Sequence, residues 1–159
     1  MIRPFMIAAA TVAVLTLSSM AFAQSGGTAD EAKAMLTKAV AAVKADKAKA
    51  LDEFNKGEGG FLVGDLYPFC FNVGDAKLVA LANPNAKKLI GTDARTLKDP
   101  TGKPFGEMQY AAAGKPEGEI TETSYLFSRP GDPTPVTKVS FTTKVGDLVC
   151  GVGYYPPKP

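Results

Sequence analysis

The chain has 159 residues, with 18 Lys and Arg against 16 Asp and Glu, a formal net charge of +2 and no histidine. The absence of histidine removes Ser-His-Asp and Cys-His catalysis, His-ligated zinc or copper, and haem held through His. Two cysteines are too few for structural zinc or an iron–sulfur cluster, and so small a net charge argues against nucleic acid or anionic lipid as a partner.

The first element concerns export. Arg3 and the amino terminus are positive, residues 5–17 are uncharged and mostly apolar, and Ala21-Phe22-Ala23 presents small residues at a peptidase site. The apolar run is shorter than the roughly 20 residues a spanning helix needs, and Ser18, Ser19 and Gln24 interrupt it. The reading is a signal peptide over residues 1–23, cleaved after Ala23, rather than an uncleaved anchor. About 136 residues remain, with 17 basic and 16 acidic side chains and no further apolar stretch of spanning length. That is the size of one domain, expected in the periplasm or secreted. In such a compartment Cys70 and Cys150 read as one disulfide, the alternative being two buried free thiols.

Residues 24–27 form a polar leader, and Thr28-Ala29-Asp30-Glu31 has the pattern of a capping box. Leu36, Val40, Val43, Ala50 and Phe54 then recur at helical spacing, which predicts one long amphipathic helix ending at Asn55-Lys56-Gly57 with its apolar stripe against a sheet. Leu66 to Asn72 reads as a strand, Val73-Gly74-Asp75 as a turn, and Lys77 to Ala82 as the hairpin partner. Residues 83–118 read as loops with helical turns near Lys87 and from Glu107 to Ala113, and a connection that long is expected to serve function. Glu119 to Ser128 alternates as a third strand, Arg129 to Pro135 is a rigid turn, Val136 to Val145 is a fourth strand, and Leu148 to Tyr155 is the last. The domain is expected over residues 28–156, with 157–159 as a tail.

The layout is α+β. If Cys70 and Cys150 are bonded, the first and last strands are neighbours, and sheet order 2-1-5-4-3 satisfies both that constraint and the two hairpins.

The segments from Gly59-Gly60-Phe61 to Asp65-Leu66-Tyr67, from Leu97 through Asp99-Pro100-Thr101-Gly102 to Phe105, from Tyr125 to Pro130, from Lys138 to Phe141, and Gly151-Val152-Gly153-Tyr154-Tyr155 carry a likeness in both wording and order. Together they resemble the single Cache domain, a PAS-like extracytoplasmic sensor module. The resemblance implies a long helix behind a five-stranded antiparallel sheet, with a pocket for a small molecule on the other face and organic acids as the ligand class. Asn83-Pro84 stands where members joined to receptors often have His-Pro, and Leu148 where an aromatic is expected.

Lys138 and Tyr125 are the residues expected at a ligand, with Tyr67, Asn83 and Arg129 behind them. The plainer alternatives are a solvated strand face for Lys138 and core packing for the tyrosines. No cofactor, metal or catalytic residue is expected, because the acid pairs Asp93 with Asp99 and Glu117 with Glu119 are accompanied by no nucleophile. A version of the module without its own signalling domain is expected to act through a partner such as a membrane receptor. The second reading is an interaction protein whose pocket is filled by side chains and which docks onto a receptor or transporter ectodomain.

Overall fold

A computed structural model describes residues 26–157; residues 1–25, which include the expected signal peptide, and the last two residues of the expected tail lie outside the described residues. Helix α1 spans Ala29–Ala45 and α2 spans Lys47–Lys56. The capping box is formed: Thr28 Oγ1 accepts from Glu31 N at 3.2 Å, and the Glu31 carboxylate accepts from Thr28 N at 2.8 Å. The single long helix expected from the spacing is instead two. Asp46 adopts an extended conformation, donates its N–H to the Ala42 carbonyl and accepts from Lys49 N at 3.0 Å, so one short acidic side chain ends α1 and caps α2. Gly57, at φ 71°, closes α2 in the left-handed conformation that glycine adopts without steric cost.

The sheet comprises β1 (Pro68–Asn72), β2 (Leu78–Leu81), β3 (Thr121–Arg129), β4 (Asp132–Val145) and β5 (Leu148–Tyr154) in the antiparallel order β2-β1-β5-β4-β3. Cys70 and Cys150 are direct cross-strand partners joined as a disulfide, their Cα atoms 4.1 Å apart. Strand β4 is longer than its sequence suggests. The expected turn at Arg129–Pro135 shrinks to Pro130 and Gly131, and β4 begins at Asp132. Its pairing with β5 starts only at Val139, so Pro133 and Pro135 lie on an overhang where a missing N–H breaks no second ladder.

Alternation assigns the two faces. Cys70, Ala80, Val139, Phe141, Val145, Leu148, Cys150 and Val152 pack under Leu36, Ala39, Val43, Ala50 and Phe54 of the helices. The opposite face carries Phe69, Phe71, Leu78, Leu81 and Val149. The connection between β2 and β3 folds over it as 3₁₀ turns at Pro84–Leu89 and Ala94–Thr96, helix α3 at Phe105–Tyr110, and a last 3₁₀ turn at Ala111–Gly114. Several hydrogen bonds tie this roof down. The Tyr110 hydroxyl donates to the Val73 carbonyl, Lys103 Nζ donates to the Ser124 carbonyl, and Leu126 N donates to Asp99 Oδ2 at 3.0 Å. No helix among the described residues is long and apolar enough to cross a membrane.

Candidate functional site

Between roof and sheet lies a cavity lined by Phe69, Leu89, Leu97, Phe105, Phe127 and other apolar side chains, with Lys138, Tyr125 and Gln109 as its polar members. Its empty space is only about 20 Å³, room for one or two water molecules. Phe105 of the roof stacks on Tyr125 of β3, ring centroids 4.3 Å apart, and meets Phe127 edge-on at 5.9 Å.

Lys138 reaches this space because β4 alternates: Val139 and Phe141 face the helices, so Lys138 and Ser140 face the roof. The lysine is only 1% exposed. Its Nζ donates to the Tyr67 hydroxyl at 2.8 Å and lies 4.2 Å from the centroid of the Tyr67 ring, 5.1 Å from Phe127, 5.3 Å from Tyr155 and 5.6 Å from Phe69. Aromatic faces attract a cation but supply no counter-charge. Among the described residues no carboxylate oxygen comes within 4.0 Å of Lys138 Nζ, and two of its three N–H donors have no hydrogen-bond acceptor. Burial is the largest influence on the ammonium and opposes its charge. The oxygens of Tyr125 and Tyr67, with Asp65 beyond, outweigh it and hold the pKa above the usual lysine value.

Behind the ammonium, hydrogen-bond directions are fixed by counting. The Tyr67 hydroxyl accepts from Lys138 and, at 3.1 Å, from Asn83 Nδ2, so its own proton points to the Tyr155 hydroxyl 3.5 Å away. Tyr155 donates in turn to the Ser128 carbonyl at 2.6 Å, where the second Nδ2 proton of Asn83 also ends at 2.8 Å. Burial pushes the Tyr155 hydroxyl far above the ordinary tyrosine pKa, which keeps that hydroxyl protonated. Tyr125 lines the cavity and shares a hydrogen bond of 3.0 Å with Ser140 Oγ.

The five residues singled out from the sequence thus fall into three groups. Lys138 and Tyr125 border the cavity, whereas Tyr67 and Asn83 stand behind it as the support of the ammonium. Arg129 does not border it: its guanidinium lies 5.2 Å from the Tyr155 ring and 3.6 Å from Asp65 Oδ2. Gln109 was not singled out. It is 2% exposed, lines the cavity from α3, and its Nε2 has no hydrogen-bond partner among the described residues. An unfilled buried donor is costly, and this one shares a small space with the unfilled donors of Lys138.

Among solved structures the chain is similar to a methyl-accepting chemotaxis protein from Vibrio parahaemolyticus RIMD 2210633, at 21% identity and a TM-score of 0.63 over 79% of this chain and 86% of that one. It is similar to a periplasmic sensor domain of a chemotaxis protein at 21% identity and a TM-score of 0.59, covering 80% and 90% of the two chains. A third similar structure, at 25% identity and a TM-score of 0.55 over 80% and 88%, is a Cache chemosensory domain described for its carboxylic acid recognition. No curated protein matches the chain. The family model of single Cache domain 2 matches residues 8–155, nearly the entire length, and the chain belongs to that family.

Proposed function

We propose that this is an exported sensor domain that binds a small organic acid in the cavity between roof and sheet, without catalysing a reaction. The observation that carries the reading is Lys138, a buried ammonium with two unfilled donors and no carboxylate within ion-pair reach among the described residues. A ligand carboxylate would supply the missing charge and acceptors, in charge-assisted bonds of about 1.5 to 3 kcal/mol. Gln109 Nε2 and the Tyr125 hydroxyl offer further donors to the same group, while Tyr67 and Asn83 hold the ammonium in place. In this reading Arg129 acts through Tyr155 and does not touch the ligand. The similar Cache domain described for carboxylic acid recognition supports the ligand class, and the Arg3, residue 5–17 and Ala21-Phe22-Ala23 series supports export.

A second reading rests on the small size of the cavity: a pocket already filled by its own side chains would leave a domain that docks onto a receptor or transporter ectodomain. A thermal shift screen separates the two, since saturating acid raises the melting temperature of a binder and leaves a filled pocket unmoved. Calorimetric titration of Lys138→Met then tests the assignment. The variant keeps the stem, removes the charge, and is expected to weaken an identified acid by about tenfold or more. Unchanged affinity would remove Lys138 from the site.

A further inference from the structure

The cavity does not stand alone. A groove of about 230 Å³ runs along its outer side, lined by Ala86, Pro100, Leu126, Pro133 and Pro135, and it shares Leu89, Leu97, Phe105 and Phe127 with the inner space. Those four side chains form a common wall. Leu89 ends a 3₁₀ turn, Leu97 sits in the irregular link after the next one, and Phe127 belongs to β3, the last strand of the sheet. All three are half-buried, whereas Phe105 is only 5% exposed and stacked on Tyr125. The wall is thus built largely from side chains that lack packing on every side. The inner space, with room for one or two waters, cannot accept a carboxylate and a carbon chain unless this wall parts.

The charges along the two spaces are mostly positive. Lys138 lies inside, and Lys88 and Lys98 line the outer groove. Among the described residues Asp99 is the one carboxylate that borders either space, and it is occupied: Oδ1 accepts from Thr101 N, Thr101 Oγ1 and Lys103 N, and Oδ2 accepts from Leu126 N. Among the described residues an amino acid would find no free carboxylate there for its ammonium. A short dicarboxylate would press its second charge against Leu89, Leu97 and the phenylalanines.

We infer that the cavity and the groove are two halves of one site, and that its preferred ligand is a monocarboxylate with an unbranched apolar tail longer than that of acetate. The head binds Lys138 and Gln109, and the tail parts the wall at Phe127 and lies along Leu126, Pro133 and Pro135. This rests on the carboxylate-sensing reading and adds the tail to it.

Calorimetric titration of the mature chain with acetate, butyrate, hexanoate, succinate and alanine tests the inference. Affinity is expected to rise about two- to fourfold per methylene, the upper value being full burial of each group. Succinate and alanine are expected to bind about tenfold or more weaker than butyrate. Leu97→Glu sets a carboxylate in the wall and is expected to cut the hexanoate-to-acetate affinity ratio about tenfold or more. Pro135→Glu, on the exposed outer rim, is expected to cut it about threefold and serves should the first variant fail to fold. Acids that bind without a gain from chain length, or succinate or alanine binding as tightly as butyrate, would overturn the tail inference and leave carboxylate sensing standing. Absence of binding by every acid would instead overturn carboxylate sensing itself.

Discussion

Gly153 of β5 lies directly beneath the stem of Lys138 on β4: a Cβ at position 153 would come within 2.5 Å of Lys138 Cε and 2.4 Å of Ser140 Oγ. The lysine can run flat along the sheet to the Tyr67 hydroxyl only because its neighbour on β5 has no side chain. Gly153→Ala is expected to push the stem off this path, at an overpacking cost of about 1 to 3 kcal/mol. Urea denaturation reads the stability, and titration with an identified acid reads the displaced ammonium. A variant with native stability and native affinity would show that the stem has another route.

The Cys70–Cys150 bond joins β1 to the central strand β5 inside the helix-facing core and closes a sequence separation of 80 residues. Replacing both cysteines by alanine is expected to lower unfolding stability by about 2 to 5 kcal/mol. The comparison is a urea titration of the two proteins under oxidising conditions, and coincident midpoints would refute it.

Much of this arrangement was legible from period alone. Two-residue alternation in β4 set Lys138 opposite Val139 and Phe141, and the helix-facing core follows from the same count. Gln109 was not legible, because its burial depends on how residues 83–118 fold over the sheet, and such a connection has no periodicity. The break at Asp46 was hidden by good helix formers on both sides, although an aspartate at that point is a known capping signal. Pro133 and Pro135 read as strand breakers, and only the overhang of β4 beyond the end of β5, which leaves their β5-side edge unpaired, explains why they are tolerated.

The seam between α1 and the sheet gives a third prediction. Val43 is 7% exposed and packs in the same cluster as Val145 and Leu148. Val43→Asp places a carboxylate there without a counter-charge, and a loss of about 3 kcal/mol or more is expected. If the denaturation midpoint hardly moves, that face of α1 is not part of the core.

The last prediction concerns acid. Asp99 is 8% exposed and accepts four hydrogen bonds. The Thr101 hydroxyl, then the Leu126 N–H, lead the influences that draw its pKa from 3.8 to about 2, against a smaller opposing effect of burial. A carboxyl depressed on folding stabilises the folded state above its unfolded value, and that contribution is lost as pH falls through the folded value. Asp99 should therefore stabilise fully above about pH 4 and lose its contribution between pH 4 and 2. Because Oδ2 holds Leu126 N, its protonation also loosens the link between the roof and β3, beside the groove that Leu126 and Phe127 line. Urea midpoints of wild type and Asp99→Asn, followed from pH 6 to pH 2, isolate this group from the other carboxylates, which are common to both proteins. The wild type is expected to be the more stable at pH 6 and the two curves to converge below pH 4, with early loss of amide-exchange protection at Leu126 in the wild type. Curves that stay parallel throughout would mean that the Asp99 bonds do not hold the roof.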